Sequence, residues 1–244
     1  MQAVKRTLRV LSAVAQLGGN GVSLSDLAKE TGLSPSTVHR YITVLIEMGY
    51  LRRSSTKLLS LGGQSIALGA SVYDPDALAT RIRSTLESLR AATGETSFVS
   101  QLLGTEVLCI AMERGTNPLQ LSVRVGQTIP PFHAASARVV LAFAEDSVVE
   151  ASWKRFSSDA ADAGGLRRFF AQLETIRERR FDICDSEFDK GVWAVAAPVL
   201  SNVTDGMFGA VAVAGAAERF GTEAVRDATL KLVVDAASKL SSQT

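Results

Sequence analysis

The first 49 residues contain three helical patterns, and the last two are separated by only a short turn at Gly32. Ser23 and Asp26 resemble a capping box, which predicts a helix over 24–31. Ser34-Pro35 combines an N-cap with proline at the first helical position, which predicts a helix over 35–48. Two helices joined by so tight a turn predict a helix-turn-helix.

A helix before this motif and a hairpin after it complete the unit. Residues 3–17 predict a helix. Its apolar positions define the side expected to face the core: Val4, Leu8, Leu11, Val14, Ala15 and Leu17. Tyr50–Arg53 and Lys57–Leu61 predict two short strands around a polar turn, which together would form a wing. This turn lacks the Asn-Gly of a tight hairpin, so its shape is left open.

The charge of the chain is divided unevenly. Residues 1–65 contain eight basic and three acidic residues, 8 − 3 = +5, and the remainder contains 18 basic and 22 acidic residues, or −4. A basic unit on a mildly acidic body is typical of a domain that binds a polyanion.

The third helix has the surface of a DNA-recognition helix. Ser36, His39 and Arg40 fall at i, i+3 and i+4 and therefore share one face. Arg40 can bind guanine in bidentate fashion, and basic wing residues can neutralise phosphates. Whether any one residue contacts a base or a phosphate is left open. The predicted DNA-contacting residues are Ser34, Ser36, Thr37, His39, Arg40, Arg52, Arg53 and Lys57.

The rest of the chain alternates between helical and strand patterns. A helix over 64–73 would connect the two parts. Strands are predicted over 96–103, 106–113, 119–125, 181–185, 192–200 and 207–214. Helices are predicted over 75–92, 135–144, 147–155, 165–180 and 222–240. This mixture predicts an α+β chain, in which a winged helix-turn-helix precedes an α/β domain with a mainly antiparallel sheet.

Several classes of protein are disfavoured by composition. No apolar run approaches the ~18 residues that span a bilayer, and no signal core follows the N-terminal charges, so we expect a cytoplasmic protein. Two cysteines, Cys109 and Cys184, and two histidines, His39 and His133, are too few to predict a metal centre or a disulfide framework. No cofactor is predicted.

Two alternatives to a DNA-binding protein would give Cys184 a chemical role. It could serve an enzyme, with His133 or with a nearby group of acidic residues; these acids are expected to be solvated in a turn: Asp182, Asp185, Glu187 and Asp189. The chain has no nucleophile elbow, phosphate-binding loop or dinucleotide fingerprint, so we do not predict an enzyme. A redox sensor is the other alternative, although Cys109 is expected to be a packed core residue.

At this point the sequence resembles the IclR family of bacterial transcriptional regulators along nearly its whole length. The resemblance rests on 8–18, 22–41 and 43–53 in the first unit. In the larger part it rests on Thr93-Gly94-Glu95-Thr96, Arg124-Val125-Gly126, 191–199 and 208–215, which occur in the family's order.

The resemblance implies a winged helix-turn-helix over 1–62, a linker helix over 63–74 and a GAF-like effector-binding and oligomerisation domain over 75–244. It also implies a homodimer or a dimer of dimers on a pseudo-palindromic operator in double-stranded DNA. A small-molecule effector would modulate operator binding. Some members repress and others activate, and the sequence leaves this open.

By position, the resemblance implies these effector-binding residues: Ile129, Ala135, Ser136, Cys184, Val192, Ala194, Ala212 and Ala214. The chain departs from the family pattern because Ala194, Ala212 and Ala214 stand where acid-binding members can have polar residues. An apolar pocket with few polar anchors favours an aromatic or short amphipathic carboxylic acid. The alternative is that these small residues only pack the sheet against a helix.

Overall fold

The computed structural model consists of two compact units, Met1–Asp76 and Ala77–Thr244. It describes residues 2–17, 21–72, 77–117, 123–157, 163–187, 190–201 and 206–242.

The first unit is a three-helix core with a two-stranded wing. Its elements are α1 (Gln2–Leu17), α2 (Leu24–Thr31), α3 (Pro35–Glu47), β1 (Leu51–Arg53), β2 (Leu59–Leu61) and α4 (Gly63–Val72). The Ser23 Oγ accepts from the Asp26 N–H, and Gly32 adopts a left-handed conformation, φ 65°, at the C-cap of α2. These caps confirm the helix-turn-helix predicted from the sequence.

The predicted core side of α1 is confirmed at Val14 and at the partly buried Leu11, but it is wrong at Val4 and Leu8. Val10, Ala13 and Val14 are buried, whereas Val4 and Leu8 are 65% and 56% exposed. The helix has two apolar stripes, and the one at i, i+3 and i+4 from Val10 packs into the core of this unit. The glycines expected to end α1, at 18 and 19, lie outside the described residues.

Helix α4 is fastened at its start to the body of the winged unit. The Gln64 N–H donates to the Gly49 carbonyl at 3.1 Å, and the Ser65 Oγ donates to the Tyr50 carbonyl at 2.8 Å. Because these bonds link the first turn of α4 to the end of the recognition helix, this turn moves with the winged unit.

The second unit contains a five-stranded sheet in the order β4-β3-β7-β6-β5, and every described strand pair is antiparallel. Its strands are β3 (Thr96–Leu103), β4 (Glu106–Glu113), β5 (Asp182–Asp185), β6 (Val192–Ser201) and β7 (Gly206–Ala216). Its helices are α5 (Ala77–Thr93), α6 (Ala135–Ala142), α7 (Asp146–Phe156), α8 (Ala163–Arg179) and α9 (Glu223–Ser241), and a 3-10 turn spans Ala217–Phe220. The predicted fold class is therefore confirmed.

Each face of this sheet is covered by different helices. Successive side chains along a strand point to opposite faces. Val195, Val211 and Val213 pack in the core formed with α5 and α9. Ala196 and Ala212, from the alternate positions, pack in the core formed with α6, α7 and α8. The residues under α6 are therefore smaller than those on the opposite face.

One predicted strand is not found. Residues 119–122 lie outside the described residues, and Val123–Val125 do not form a strand. The Arg124 N–H donates to the Gln127 side-chain oxygen at 3.0 Å, and Gly126 has φ 81°. The prediction over 123–125 is wrong because these local bonds favour a turn.

A buried ion pair joins two of the segments that carry the family resemblance, 93–96 and 208–215, to Arg219. Glu95 is buried, binds the Arg219 guanidinium, and accepts from the Asn117 side-chain amide at 2.8 Å. Hydrogen bonding to Glu95 raises the pKa of Arg219 above its usual value. A Cβ at Gly215 would collide with the Glu95 carboxylate, so a larger residue there would have to displace this side chain from Arg219.

The packing of α8 gives a test of this core. Leu173 on α8 is fully buried, whereas Leu103 at the end of β3 is 51% exposed. We expect Leu173→Ala to lower the free energy of unfolding by about 2–5 kcal/mol and Leu103→Ala to change it by less than about 0.5 kcal/mol. Urea unfolding of the two variants measures this difference, and equal losses would contradict the assigned core.

Candidate functional sites

The start of the recognition helix α3 has hydroxyl groups that cap the helix and exposed side chains beside them. The Ser34 Oγ accepts from the Thr37 N–H at 3.4 Å and lies 2.8 Å from the Thr37 Oγ1. Ser36, His39 and Arg40 are exposed. The Ser34 and Thr37 hydroxyls thus bond to each other, while the other three side chains face solvent.

The Arg40 guanidinium is placed against its neighbour. It lies 5.5 Å from the centroid of the Tyr41 ring, within the range of a cation–π contact. This contact limits the positions that the long side chain samples on the exposed surface of α3.

The wing presents three further cations. Arg52 and Arg53 are exposed on β1, and Lys57 is exposed in the turn with φ 63°. The Lys57 N–H donates to the Ser54 carbonyl at 3.0 Å, and the Ser54 Oγ accepts from the Leu58 N–H at 3.1 Å. These serine bonds hold the turn without the usual glycine. All eight predicted DNA-contacting residues therefore lie in one unit, and all except the half-buried Thr37 are exposed.

The second unit contains a cavity of about 210 Å³ between the sheet and the start of α6. All eight predicted effector-binding residues line this cavity. The described lining also includes five residues that sequence analysis missed: Phe98, Val123, Gln127, Pro130 and Ala134.

The cavity exists because its floor is made of small side chains. Cys184 on β5 pairs with Ala194 on β6, and Ala194 pairs with Ala214 on β7. In the next register position on the same face, Ala212 pairs with Phe98 on β3. Three alanines thus leave space under α6, and the Phe98 ring forms part of the wall.

The polar groups of the cavity are at the first turn of α6. The Ser136 Oγ is buried and has no hydrogen-bond partner within the part of the chain that the structure describes. The Ala135 and Ser136 N–H groups have no backbone acceptor among the described residues, as is usual at a helix N-terminus. None of the described lining residues is charged. A buried hydroxyl and free N–H groups next to apolar walls favour a ligand with one anionic end.

Two family models match the chain. Residues 3–55 match the IclR helix-turn-helix domain, and residues 71–242 match the model described as "Bacterial transcriptional regulator IclR C-terminal". The chain belongs to the IclR family of bacterial transcriptional regulators. It thus combines a helix-turn-helix DNA-binding domain with the effector-binding domain of that family, whose members are transcriptional regulators.

Individual relatives are similar along most of their length. The HTH-type transcriptional regulator KipR of Bacillus subtilis (strain 168) is 25% identical, over 86% of this chain and 88% of its own. An IclR transcriptional regulator from Alicyclobacillus acidocaldarius has a TM-score of 0.78 at 21% identity, covering 99% of this chain and 98% of its own. An IclR homolog from Microbacterium hydrocarbonoxydans, complexed with 4-hydroxybenzoate, has a TM-score of 0.76 at 19% identity, covering 98% of both chains. These two structures support the fold.

Two of the cavity-lining residues that sequence analysis missed in this IclR-family regulator differ in whether the sequence could have identified them. Phe98 lies on a correctly predicted strand and pairs with Ala212, so the sheet register could have identified it. Gln127 gave no such signal, because the turn that places it was predicted as a strand. Its side-chain oxygen accepts from the Arg124 N–H at 3.0 Å.

The acidic residues near Cys184 were predicted to be solvated, and this prediction is wrong for the buried Asp182 but fits the exposed Asp185 and Glu187. Asp182 is 1% exposed and binds Arg138 at 2.5 Å. The partly exposed Glu187 also binds Arg138 at 2.5 Å. Asp185, by contrast, is exposed and lies 3.0 Å from the Arg226 guanidinium. Asp189 lies outside the described residues.

Both cysteines of this regulator are buried. Burial raises the pKa of the Cys109 thiol to about 12, so this thiol stays protonated near neutral pH. The Cys184 Sγ donates to the His133 carbonyl at 3.0 Å, and the His133 side chain itself is exposed. Neither thiol therefore has the exposed cationic surroundings that activate a redox cysteine.

No group of three or more His, Cys, Asp or Glu residues that could hold a metal ion was found in the described part of the chain. No helix in the ranges that the structure describes is long and apolar enough to cross a membrane.

Proposed function

We propose that this regulator binds an aromatic or short amphipathic carboxylic acid in the cavity under α6, and that binding changes its affinity for operator DNA. The observation that carries this proposal is the Ser136 Oγ, which lines the cavity at the start of α6, is buried, and has no hydrogen-bond partner among the residues that the structure describes. A buried hydroxyl without a partner is costly unless a ligand or water satisfies it.

The size of the cavity fits a ring. Apolar cavities of about 150 Å³ bind benzene, and this one measures about 210 Å³. The alanine floor and the Phe98 wall supply apolar contacts to the flat faces of such a ligand. The remaining space accommodates a small polar substituent.

A negative charge on the ligand is favoured by the N-terminus of α6. The N–H groups of Ala135 and Ser136 and the positive end of the α6 dipole attract an anion. A carboxylate bound there would satisfy the Ser136 hydroxyl as well. The complex of the Microbacterium hydrocarbonoxydans homolog with 4-hydroxybenzoate is consistent with this class of ligand.

The structure of α4 suggests how binding reaches the DNA. We infer that the unit over 75–244 senses the ligand, that the helix over 63–74 is the linker, and that the unit over 1–62 contacts DNA. Because the first turn of α4 is bonded to Gly49 and Tyr50, a rotation of this helix would turn the recognition helix with it. In a dimer, such a rotation changes the spacing of the two recognition helices relative to the operator half-sites.

The ligand prediction is tested by thermal shift. At about 100 times its dissociation constant, a bound acid should stabilise the protein by about 2.7 kcal/mol, a shift of several degrees. Ala194→Leu fills the space above the floor and should abolish the shift with benzoate and 4-hydroxybenzoate. Ala171→Leu, on the exposed surface of α8, is the matched control and should retain it. A shift that survives in Ala194→Leu would exclude this cavity as the binding site.

The DNA prediction is tested at Arg40. Arg40→Ala should weaken binding to an operator selected from random duplexes by about 1–3 kcal/mol, because one charged contact to a base or a phosphate is lost. Lys231→Ala removes an equal charge from exposed α9 and should leave the affinity unchanged. Fluorescence anisotropy measures both. A uniform loss on all duplexes with a smaller salt slope identifies a phosphate contact, and an affinity equal to that of Lys231→Ala would contradict a DNA role for Arg40.

We also propose that the protein is a homodimer or a dimer of dimers, supported by exposed leucine and isoleucine side chains on α4. Ile66 and Leu68 are 72% and 54% exposed, and burial in an interface would remove this apolar surface from water.

The oligomeric state is tested at Leu68. Leu68→Glu should raise the dissociation constant of the dimer at least about tenfold, because an interface then buries a charge. Leu103→Glu changes a leucine of similar exposure, 51%, and should not. Sedimentation velocity distinguishes the two, and a wild-type monomer at micromolar concentration would contradict the proposal.

A further inference from the structure

Arg138 on α6 is a buried cation close to the cavity of the second unit. It is 1% exposed and is not among the residues that line the cavity. The Nε donates to Asp182 at 2.5 Å, and the Nη1 donates to Glu187 at 2.5 Å. The Nη1 and Nη2 also donate to the carbonyls of Phe132 at 3.2 Å and Ile183 at 3.0 Å.

These partners belong to the segments that surround the cavity. Phe132 lies between two lining residues, Pro130 and Ala134. Ile183 precedes the lining residue Cys184 on β5. Arg138 itself follows Ser136 by two residues on α6. One guanidinium therefore ties the loop before α6, the first turn of α6 and strand β5 to one another.

The cluster is chemically suited to arginine. A second guanidinium, from Arg179, binds the other oxygen of Asp182, so two cations face two carboxylates. Burial lowers the pKa of Arg138, but the nearby Asp182 and Glu187 more than offset this and raise it. A lysine at 138 would keep the charge, but its ammonium lacks the planar fork that serves four acceptors.

The loop is held from its other side by aromatic contacts. The Phe132 ring lies 4.8 Å from the Trp153 ring and 4.9 Å from the Phe169 ring, centroid to centroid. These contacts fix the Phe132 side chain, while Arg138 fixes its carbonyl. The aromatic contacts and the Arg138 bond therefore both position this loop, together with the bond from the Cys184 Sγ to the His133 carbonyl.

We propose that Arg138 is a positioning residue for the effector site: it holds the three wall segments in the arrangement that binds ligand, and Glu187 is its adjustable partner. This inference rests on the proposed function, since it assigns the cavity a ligand. Glu187 is adjustable because its side chain is 46% exposed, whereas Asp182 is 2% exposed. A change at Glu187 leaves the buried pair in place.

The test uses Glu187→Gln in the full-length protein, with Glu174→Gln as the matched control. Glu174 on α8 is a partly exposed carboxylate, 2.7 Å from the Arg177 guanidinium, away from the three wall segments. Two quantities are measured for each variant. One is the dissociation constant of 4-hydroxybenzoate by calorimetry. The other is hydrogen exchange of the ligand-free protein, at amides such as Ala134, which donates to the Pro130 carbonyl, and Ala137, which donates to the Ala134 carbonyl.

We expect Glu187→Gln to weaken binding of the acid about 3- to 10-fold, the range of one hydrogen bond. It should speed exchange at Ala134 and Ala137 and move the melting temperature by less than about 3 °C, because a half-exposed ion pair contributes little to stability. Glu174→Gln should match the wild type in affinity and in exchange. Arg138→Lys should show a larger change in the same direction, and if this variant fails to fold, Glu187→Gln decides the question.

Two results would overturn the inference: Glu187→Gln indistinguishable from the wild type in both quantities, or equal changes in Glu187→Gln and Glu174→Gln. If the wild type binds neither 4-hydroxybenzoate nor benzoate, the proposed acid ligand is contradicted. The exchange measurement on ligand-free protein still decides whether Arg138 and Glu187 hold the wall segments.

Discussion

The five-stranded sheet of the second unit must bury both of its faces, and this requirement shapes the rest of the unit. Valines fill the face covered by α5 and α9. Alanines occupy much of the face under α6, where a helix cannot fill all the space above so small a side chain. Close packing disfavours such a void, so its presence beside the buried Ser136 hydroxyl is consistent with a site that is completed by a ligand.

The same region contains two buried polar side chains, and burying a polar group lowers stability unless the group is hydrogen-bonded. The Ser136 hydroxyl lacks a partner in the described ranges of the chain, while Arg138, two residues along α6, has four acceptors. The fold thus supplies four acceptors to the five N–H donors of the buried cation. Burying Arg138 without the buried Asp182 carboxylate would be strongly destabilising, so the segments around the cavity are bound to an ion pair that the stability of the fold requires.

Local chemistry made much of the fold predictable. Ser23 and Ser34 cap their helices as expected, and strand alternation located most of the sheet. The ion pair between Arg138 and Asp182 was not predictable, because 44 residues separate them and each alone resembles a surface charge. The prediction for α1 placed Val4 and Leu8 on the core side and missed Val10, because this helix has two apolar stripes and periodicity alone does not decide which one packs. Positions implied by the family resemblance placed eight residues around one cavity, whereas Gln127 depends on a turn that periodicity does not reveal.

The central claim is that an acid bound under α6 and operator DNA bound at α3 affect each other. The most direct measurement is operator affinity, by fluorescence anisotropy, in the absence and presence of saturating 4-hydroxybenzoate. A coupling of about 1–3 kcal/mol predicts a 5- to 150-fold change in the dissociation constant of the operator, and the operator must change the affinity for the acid by the same factor. An acid that binds in the cavity and leaves operator affinity unchanged would contradict the account.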